Sequence, residues 1–141
     1  MNDSPKKVKN MNTSITKAKT IGAVILFFFI IIFDQIIKHS IENPIRNTGS
    51  LFGLFQGQTH AFIYLSFIAI GLLLIFFDKI NPFALSILLS GIISNLIDRL
   101  AFGYVIDYID LRIWPAFNIA DVAITIGVLM LFIQLRTPCK A

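Results

Sequence analysis

Apolar positions run almost unbroken from Ile21 to Phe33, from Ala61 to Phe77, from Phe83 to about Leu100 and from Phe117 to Leu135, and polar residues gather at the ends of these runs and between them. The first run continues through Asp34, Gln35, Lys38 and Ser40, which brings it to the roughly 20 residues needed to cross a bilayer core. The pattern predicts an all-α membrane protein with four transmembrane helices, over about 21–40, 61–77, 82–100 and 117–135. The second is nearly free of polar groups and reads as support facing lipid. In the third, Ser86, Ser90, Gly91 and Ser94 recur at close to four-residue spacing, which lets a neighbouring helix approach closely. Before it, Asn81 can cap the helix and Pro82 can occupy its first turn.

The flanks differ in character. Residues 1–20 carry Lys6, Lys7, Lys9, Lys17 and Lys19 among Asn, Ser and Thr without apolar periodicity, and are expected to form a disordered basic arm. Residues 21–136 make one four-span domain and 137–141 a short tail. Between Glu42 and His60 the turn residues Asn43-Pro44, Asn47-Thr48-Gly49 and Gly53 alternate with Leu51, Phe52, Leu54 and Phe55, a mixture suited to a segment lying on the membrane surface. Four spans put both termini on one side. On that side fall the five arm lysines, Lys79, Arg136 and Lys140, against Lys38, Arg46, Arg99 and Arg112 on the other, so both termini are expected in the cytoplasm. Six acidic residues, Asp34, Glu42, Asp98, Asp107, Asp110 and Asp121, then fall toward the outer leaflet, where a site is to be sought.

Composition agrees with this class: 56% of the residues are hydrophobic and only 14% charged, against about a quarter charged in soluble domains. The formal charge of +4 does not imply nucleic acid, because the lysines cluster before the first apolar run and form no basic surface interleaved with aromatics. The single cysteine, Cys139, lies in the polar tail, where it has neither a base nor a pocket. The first apolar run leads straight into Asp-Gln-Ile-Ile-Lys with no small-residue cleavage site, so it reads as a retained span.

The stretch from Asn95 to Asp121 concentrates Asn95, Asp98, Arg99, Asp107, Asp110, Asn118 and Asp121 in a chain poor in charge. Such groups near membrane segments are paired or serve a site. Several have structural explanations. Asp34 and Lys38 are four apart on a helix face and can pair, with Lys38 reaching for headgroups; Arg99 alone can snorkel as an anchor; Asn118 and Asp121 suit a cap and an acidic first turn. Capping leaves Asp107 unexplained, in an expected loop among Val105, Ile106 and Tyr108. Two carboxylates held close cannot both ionise cheaply, so Asp107 and Asp121 read as an acid–base pair able to turn water on an amide with no metal or cofactor. Competing hydrolytic patterns are weak: there is no His-Glu-x-x-His, the serines form no nucleophile elbow, and His39 and His60 stand alone at span ends.

Four motifs in order, Asp34-Gln35-x-x-Lys38, Asn47-x-Gly49-x-x-Phe52, Asn95-x-x-Asp98-Arg99-x-x-x-Gly103-x-Val105-x-Asp107-Tyr108 and Phe117-Asn118-x-Ala120-Asp121, resemble the lipoprotein signal peptidases, or signal peptidase II. The resemblance implies a multi-pass aspartic endopeptidase of the bacterial inner membrane. Such an enzyme removes signal peptides from diacylglyceryl-modified prolipoproteins, cutting before the lipidated cysteine at the outer leaflet. It implies Asp107 and Asp121 as the catalytic dyad, Asn47, Asn95, Arg99 and Asn118 as site-lining and substrate-orienting residues, and Asp34, Lys38 and Asp98 as braces. It further implies lipidated precursors as partners; membrane lipids, a monomer and no nucleic acid are expected beside them. The chain departs from the family at Ser94-Asn95, at Ser50-Leu51, and in the short segment between Lys38 and Asn47, so little or no extracytoplasmic sheet is expected.

Two other readings stand beside this one: a diverged paralogue cutting a different membrane-anchored peptide, and a non-catalytic four-helix scaffold whose aspartates only cap and pair. Within the dyad, the first turn of the fourth helix favours an ionised Asp121, and the apolar neighbours of Asp107 favour a proton there. Asp107 is thus the expected donor and Asp121 the expected base.

Overall fold

The computed structural model describes residues 5–49 and 55–136. Leu51, Phe52, Leu54, Cys139 and the 137–141 tail lie outside the described residues.

Four helices carry the chain: α1 (Pro5–Ser40), α2 (Thr59–Ile75), α3 (Pro82–Phe102) and α4 (Ile119–Arg136). Three contain windows long and apolar enough to cross a membrane, within 10–40, 82–102 and 119–136, and α2 is an apolar helix of 17 residues, about 25 Å long. Two short strands, β1 (Ile45–Asn47) and β2 (Val105–Asp107), pair antiparallel in a two-stranded sheet beside one end of the bundle.

α1 begins well before residue 21. Of the stretch expected to be irregular, residues 5–20 form the first part of one 36-residue helix starting at Pro5, exposed over 10–20, and along it Thr16 and Thr20 return their hydroxyls to the carbonyls of Asn12 and Thr16. A proline needs no N–H partner in a first turn, and the lysines cost a helix little. Polarity alone therefore did not forbid the helix.

α3 is the central element, packed against α1, α2 and α4. Its start follows the sequence: Asn81 Oδ1 accepts the Phe83 N–H at 2.9 Å, and Pro82 occupies the first turn. The small residues work as their spacing implies. A Cβ on Gly91 would stand 2.4 Å from the Ala120 carbonyl oxygen, and one on Gly127 of α4 would stand 2.6 Å from the Leu88 Cβ, so both helices need glycine at their crossing. At the far end of α3, Gly103 takes the left-handed conformation (φ 79°) and returns its N–H to the Arg99 carbonyl. That cap turns the chain directly into β2.

Candidate active site

The nine candidate site residues gather at one end of the bundle: α1 brings Asp34 and Lys38 on its last turns, β1 ends with Asn47, α3 brings Asn95, Asp98 and Arg99, β2 ends with Asp107, Asn118 directly precedes α4 and Asp121 lies in its first turn. Asp110, in the connection between β2 and α4, stands apart from them. Asp34, Asp98 and Asn118 have no solvent exposure, and Asp107 has 1%.

Asp107 stands on a strand, not in an irregular loop. Val105, Ile106 and Asp107 are all buried, since β2 is covered by β1 along one edge and packs on α3. Its two oxygens each accept an amide: Oδ1 from Asn118 Nδ2 at 2.8 Å and Oδ2 from Asn47 Nδ2 at 2.9 Å. Burial pushes this carboxyl up to about 6; the Asn47 bond pulls it back, nearby Asp121 raises it and the Asn118 bond lowers it.

Asp121 sits in the first turn of α4 and closes a reciprocal cap with Asn118. Asn118 Oδ1 accepts the Asp121 N–H at 2.9 Å, while Asp121 Oδ2 accepts the Asn118 N–H at 3.1 Å. The capping expected from the spacing is therefore present, but it uses only one carboxylate oxygen. The other, Oδ1, accepts from Asn95 Nδ2 at 2.8 Å. Asn118 joins the two aspartates, with its amide on Asp107 and its backbone N–H on Asp121.

Behind this pair lies a closed ionic cluster. Lys38 Nζ is 2.7 Å from Asp34 Oδ2, 2.8 Å from Asp98 Oδ2 and 3.0 Å from Asn95 Oδ1. Lys38 pairs with Asp34 as the i,i+4 spacing suggests, yet it does not reach for headgroups: it is 1% exposed, because Asp98 of α3 offers a second carboxylate on the inner side. Arg99 is no free anchor either. Its Nη2 approaches the Gly49 carbonyl at 3.4 Å, and its guanidinium lies 5.1 Å from the Phe62 ring centre.

Two residues of the motifs, Tyr108 and Gln35, had no assigned part in the sequence reading, and Ser94 has a part beyond packing. Tyr108 donates its hydroxyl to Asp34 Oδ1 at 3.0 Å and accepts the Ile119 N–H at 3.1 Å; burial lifts its phenol well above the ordinary value, so it stays a donor. Gln35 donates to Asp98 Oδ1 at 2.9 Å, and Ser94, read only as a small packing residue, donates to Asp34 Oδ2 at 2.6 Å. Burial of Asp34 and Asp98 was the missing signal, because a buried carboxylate with four acceptor sites needs such donors.

Asp107 and Asp121 both line one cavity of about 620 Å³, which Asn47, Asn95 and Arg99 edge on the polar side. Its remaining wall, including Leu65, Leu72, Ile92 and Val128, is apolar and comes from α2, α3 and α4. Fold and site together define a polytopic membrane protein built around a paired-carboxylate centre.

The family model for signal peptidase (SPase) II matches residues 26–137. The chain is 32% identical to a lipoprotein signal peptidase of Fusobacterium nucleatum, over 90% of this chain and 93% of that one, and 33% identical to that of Staphylococcus aureus strain Newman, over 80% and 86%. A lipoprotein signal peptidase of Moorella thermoacetica is 41% identical across 67% of each chain. A solved structure described as a bacterial membrane enzyme superposes with a TM-score of 0.74 at 30% identity, covering 82% of this chain and 87% of its own. The chain belongs to the signal peptidase II family.

Proposed function

We propose that this chain is an intramembrane aspartic endopeptidase that removes signal peptides from diacylglyceryl-modified prolipoproteins, cutting before the lipidated cysteine, with Asp107 and Asp121 as its dyad. The observation that carries the reading is the joint placement of both carboxylates on one largely apolar cavity. A scaffold whose aspartates only cap and pair has no use for Asp107 there. The apolar wall suits a signal peptide's hydrophobic segment, and the polar rim formed by Asn47, Asn95 and Arg99 suits the backbone of the residues to be cut.

In the resting pair the shared proton resides on Asp107, whose carboxyl is raised to about 6, and Asp121 serves as base. Asp121 takes a proton from water as the oxygen attacks the scissile carbonyl, and Asp107 gives its proton to that carbonyl's oxygen. The tetrahedral intermediate then collapses: the C–N bond breaks as Asp121 passes its proton to the departing amine, and a hydroxyl of the gem-diol returns a proton to Asp107, which restores the resting pair. Asn47, Asn95 and Asn118 hold the two carboxylates in place, and Asp34, Lys38 and Asp98 brace them. One chain supplies all these groups, so a single copy is sufficient.

The excess of lysine and arginine in the sequence on the side of the two termini supports a topology with both termini in the cytoplasm and the site at the outer leaflet of the bacterial inner membrane. A cysteine in place of Thr48 should then react with an impermeant thiol reagent applied from outside. The activity itself is tested by incubating the purified protein with a lipidated precursor and, in parallel, with the same precursor left unlipidated. Cleavage of the lipidated form alone is expected, and cleavage of neither would sink the proposal.

A further inference from the structure

We propose that Lys38 is a positioning residue that fixes which way the Asn95 amide faces, and thereby holds an N–H donor on Asp121 throughout the reaction. The inference rests on the dyad reading above. A carboxamide has an acceptor end and a donor end, and nothing in its shape decides which way round it sits. At Asn95 the surroundings decide. Oδ1 receives Lys38 Nζ at 3.0 Å and Asn118 Nδ2 at 3.1 Å, while Nδ2 donates to Asp121 Oδ1 at 2.8 Å. Reversing the amide would set its NH2 against an ammonium and a second NH2, and its oxygen against a carboxylate. All three contacts would become repulsive.

Of the two donors on Asn95 Oδ1, Lys38 is the committed one. Asn118 Nδ2 divides its two hydrogens among Asn95 Oδ1, the Ile106 carbonyl and Asp107 Oδ1. Lys38 has three N–H bonds and three acceptors, with two of those bonds spent on Asp34 and Asp98. Both carboxylates are themselves held, Asp34 by Tyr108, Ser94 and the Ala120 N–H, and Asp98 by Gln35 and the Ile106 N–H. With two bonds aimed by fixed partners, the third can point only at Asn95. The ionic cluster thus does more than join α1 to α3: it gives the dyad a directed chain of donors, Lys38 to Asn95 to Asp121.

Charged groups face Asp121 from three elements: Lys38 from α1, Arg99 from α3 and Asp107 from β2. Removing Lys38 takes away a cation and frees the amide to turn, and both changes disfavour the ionised carboxylate. Lys38→Met alone leaves two buried carboxylates without their cation, so the test uses Lys38→Met/Asp34→Asn, which keeps the net charge of the cluster. The new amide NH2 there can face Ser94 Oγ, a hydroxyl able to accept.

In folded double variant, checked by its melting transition, kcat should fall at least about tenfold with KM changed less than about threefold, and the acid limb of the pH profile should move up by about one pH unit. Adding Asn95→Leu should produce no further shift of that limb, because Lys38 acts through Asn95. An unmoved limb, or a shift that adds to that of Asn95→Leu, would overturn the proposal. The infrared carboxylate band assigned by its loss in Asp121→Asn gives the same titration without turnover. If the unmodified protein cleaves no precursor, the functional reading fails, and the band alone decides this one: it moves up in pH in the double variant or the inference is wrong.

Discussion

Asn47 and Asp107 meet diagonally across the two-stranded ladder. The register pairs Ile45 with Asp107 and Asn47 with Val105, yet Asn47 Nδ2 reaches Asp107 Oδ2 at 2.9 Å. Diagonal neighbours on one face of an antiparallel pair are close enough for such a bond, and a slip of one residue would turn Asp107 to the other face. The small sheet therefore aims a carboxylate, and its register is part of the site.

The bond makes a directional prediction. In Asn47→Ala, Asp107 loses the contact that most strongly opposes the effect of its burial, so its proton is held to higher pH. The pH optimum should shift upward by about half a unit to one unit, with a loss of kcat/KM of roughly tenfold to a hundredfold. A profile that keeps its position would mean that Asn47 only shapes the cavity.

Asp107 should also leave a mark on stability. Its carboxyl titrates at about 6 in the folded chain against an ordinary 3.8, so between these values the folded state holds a proton that the unfolded state has released. Stability due to this group is highest at acid pH and is lost as pH rises through about 6, by on the order of 2–3 kcal/mol. Asp107→Asn has no such group to titrate. Its melting temperature relative to the unsubstituted protein should rise steadily between pH 4 and pH 7, whatever the offset at one pH. A difference that stays constant would show Asp107 to be unperturbed.

For the chemistry, Asp107→Asn and Asp121→Asn should each lower kcat by at least about a thousandfold while the proteins still insert and fold, because a dyad fails as a unit. Asp110→Asn should cleave at close to the full rate: Asp110 is exposed and accepts the Arg112 N–H at 2.8 Å in a local turn. Rates from a lipidated precursor decide both, and an inactive Asp110 variant beside an active Asp107 variant would show that the wrong carboxylate had been chosen.

Gly91→Ala tests how the site is held. Its added methyl meets a backbone carbonyl of α4 at 2.4 Å, which cannot give way as a side chain tip could. A loss of about 1–3 kcal/mol is expected, together with reduced activity, since Ala120 directly precedes Asp121. Thermal unfolding in detergent measures the first and precursor cleavage the second.

That Asp107, Asp121 and the polar residues around them belong together could be read from the chain because their residue types are costly in apolar surroundings and fall in a characteristic order. The four helices followed from run lengths, and the α3–α4 crossing from its small residues. What escaped the reading depends on partners far away in sequence. Lys38 reads as bound for the headgroups until Asp98, sixty residues on, is placed on its inner side. Three-residue strands carry too little pattern to announce themselves, and Asp107 belongs to one only because 45–47 comes alongside. Tyr108, Ser94 and Gln35 acquire their parts from the burial of Asp34 and Asp98. A polar sequence likewise says nothing against the helix that α1 forms before the membrane.

The cap that opens α4 is made with a carboxylate proposed to change its protonation in every cycle. When Asp121 takes a proton, Oδ2 becomes a poorer acceptor for the Asn118 N–H, and the first turn of the helix loses part of its closure. The step of the reaction is thereby written into the backbone: the amide of Asn118 should exchange its hydrogen fastest in the protonated intermediate and slowest at rest, so that one end of a transmembrane helix keeps time with catalysis.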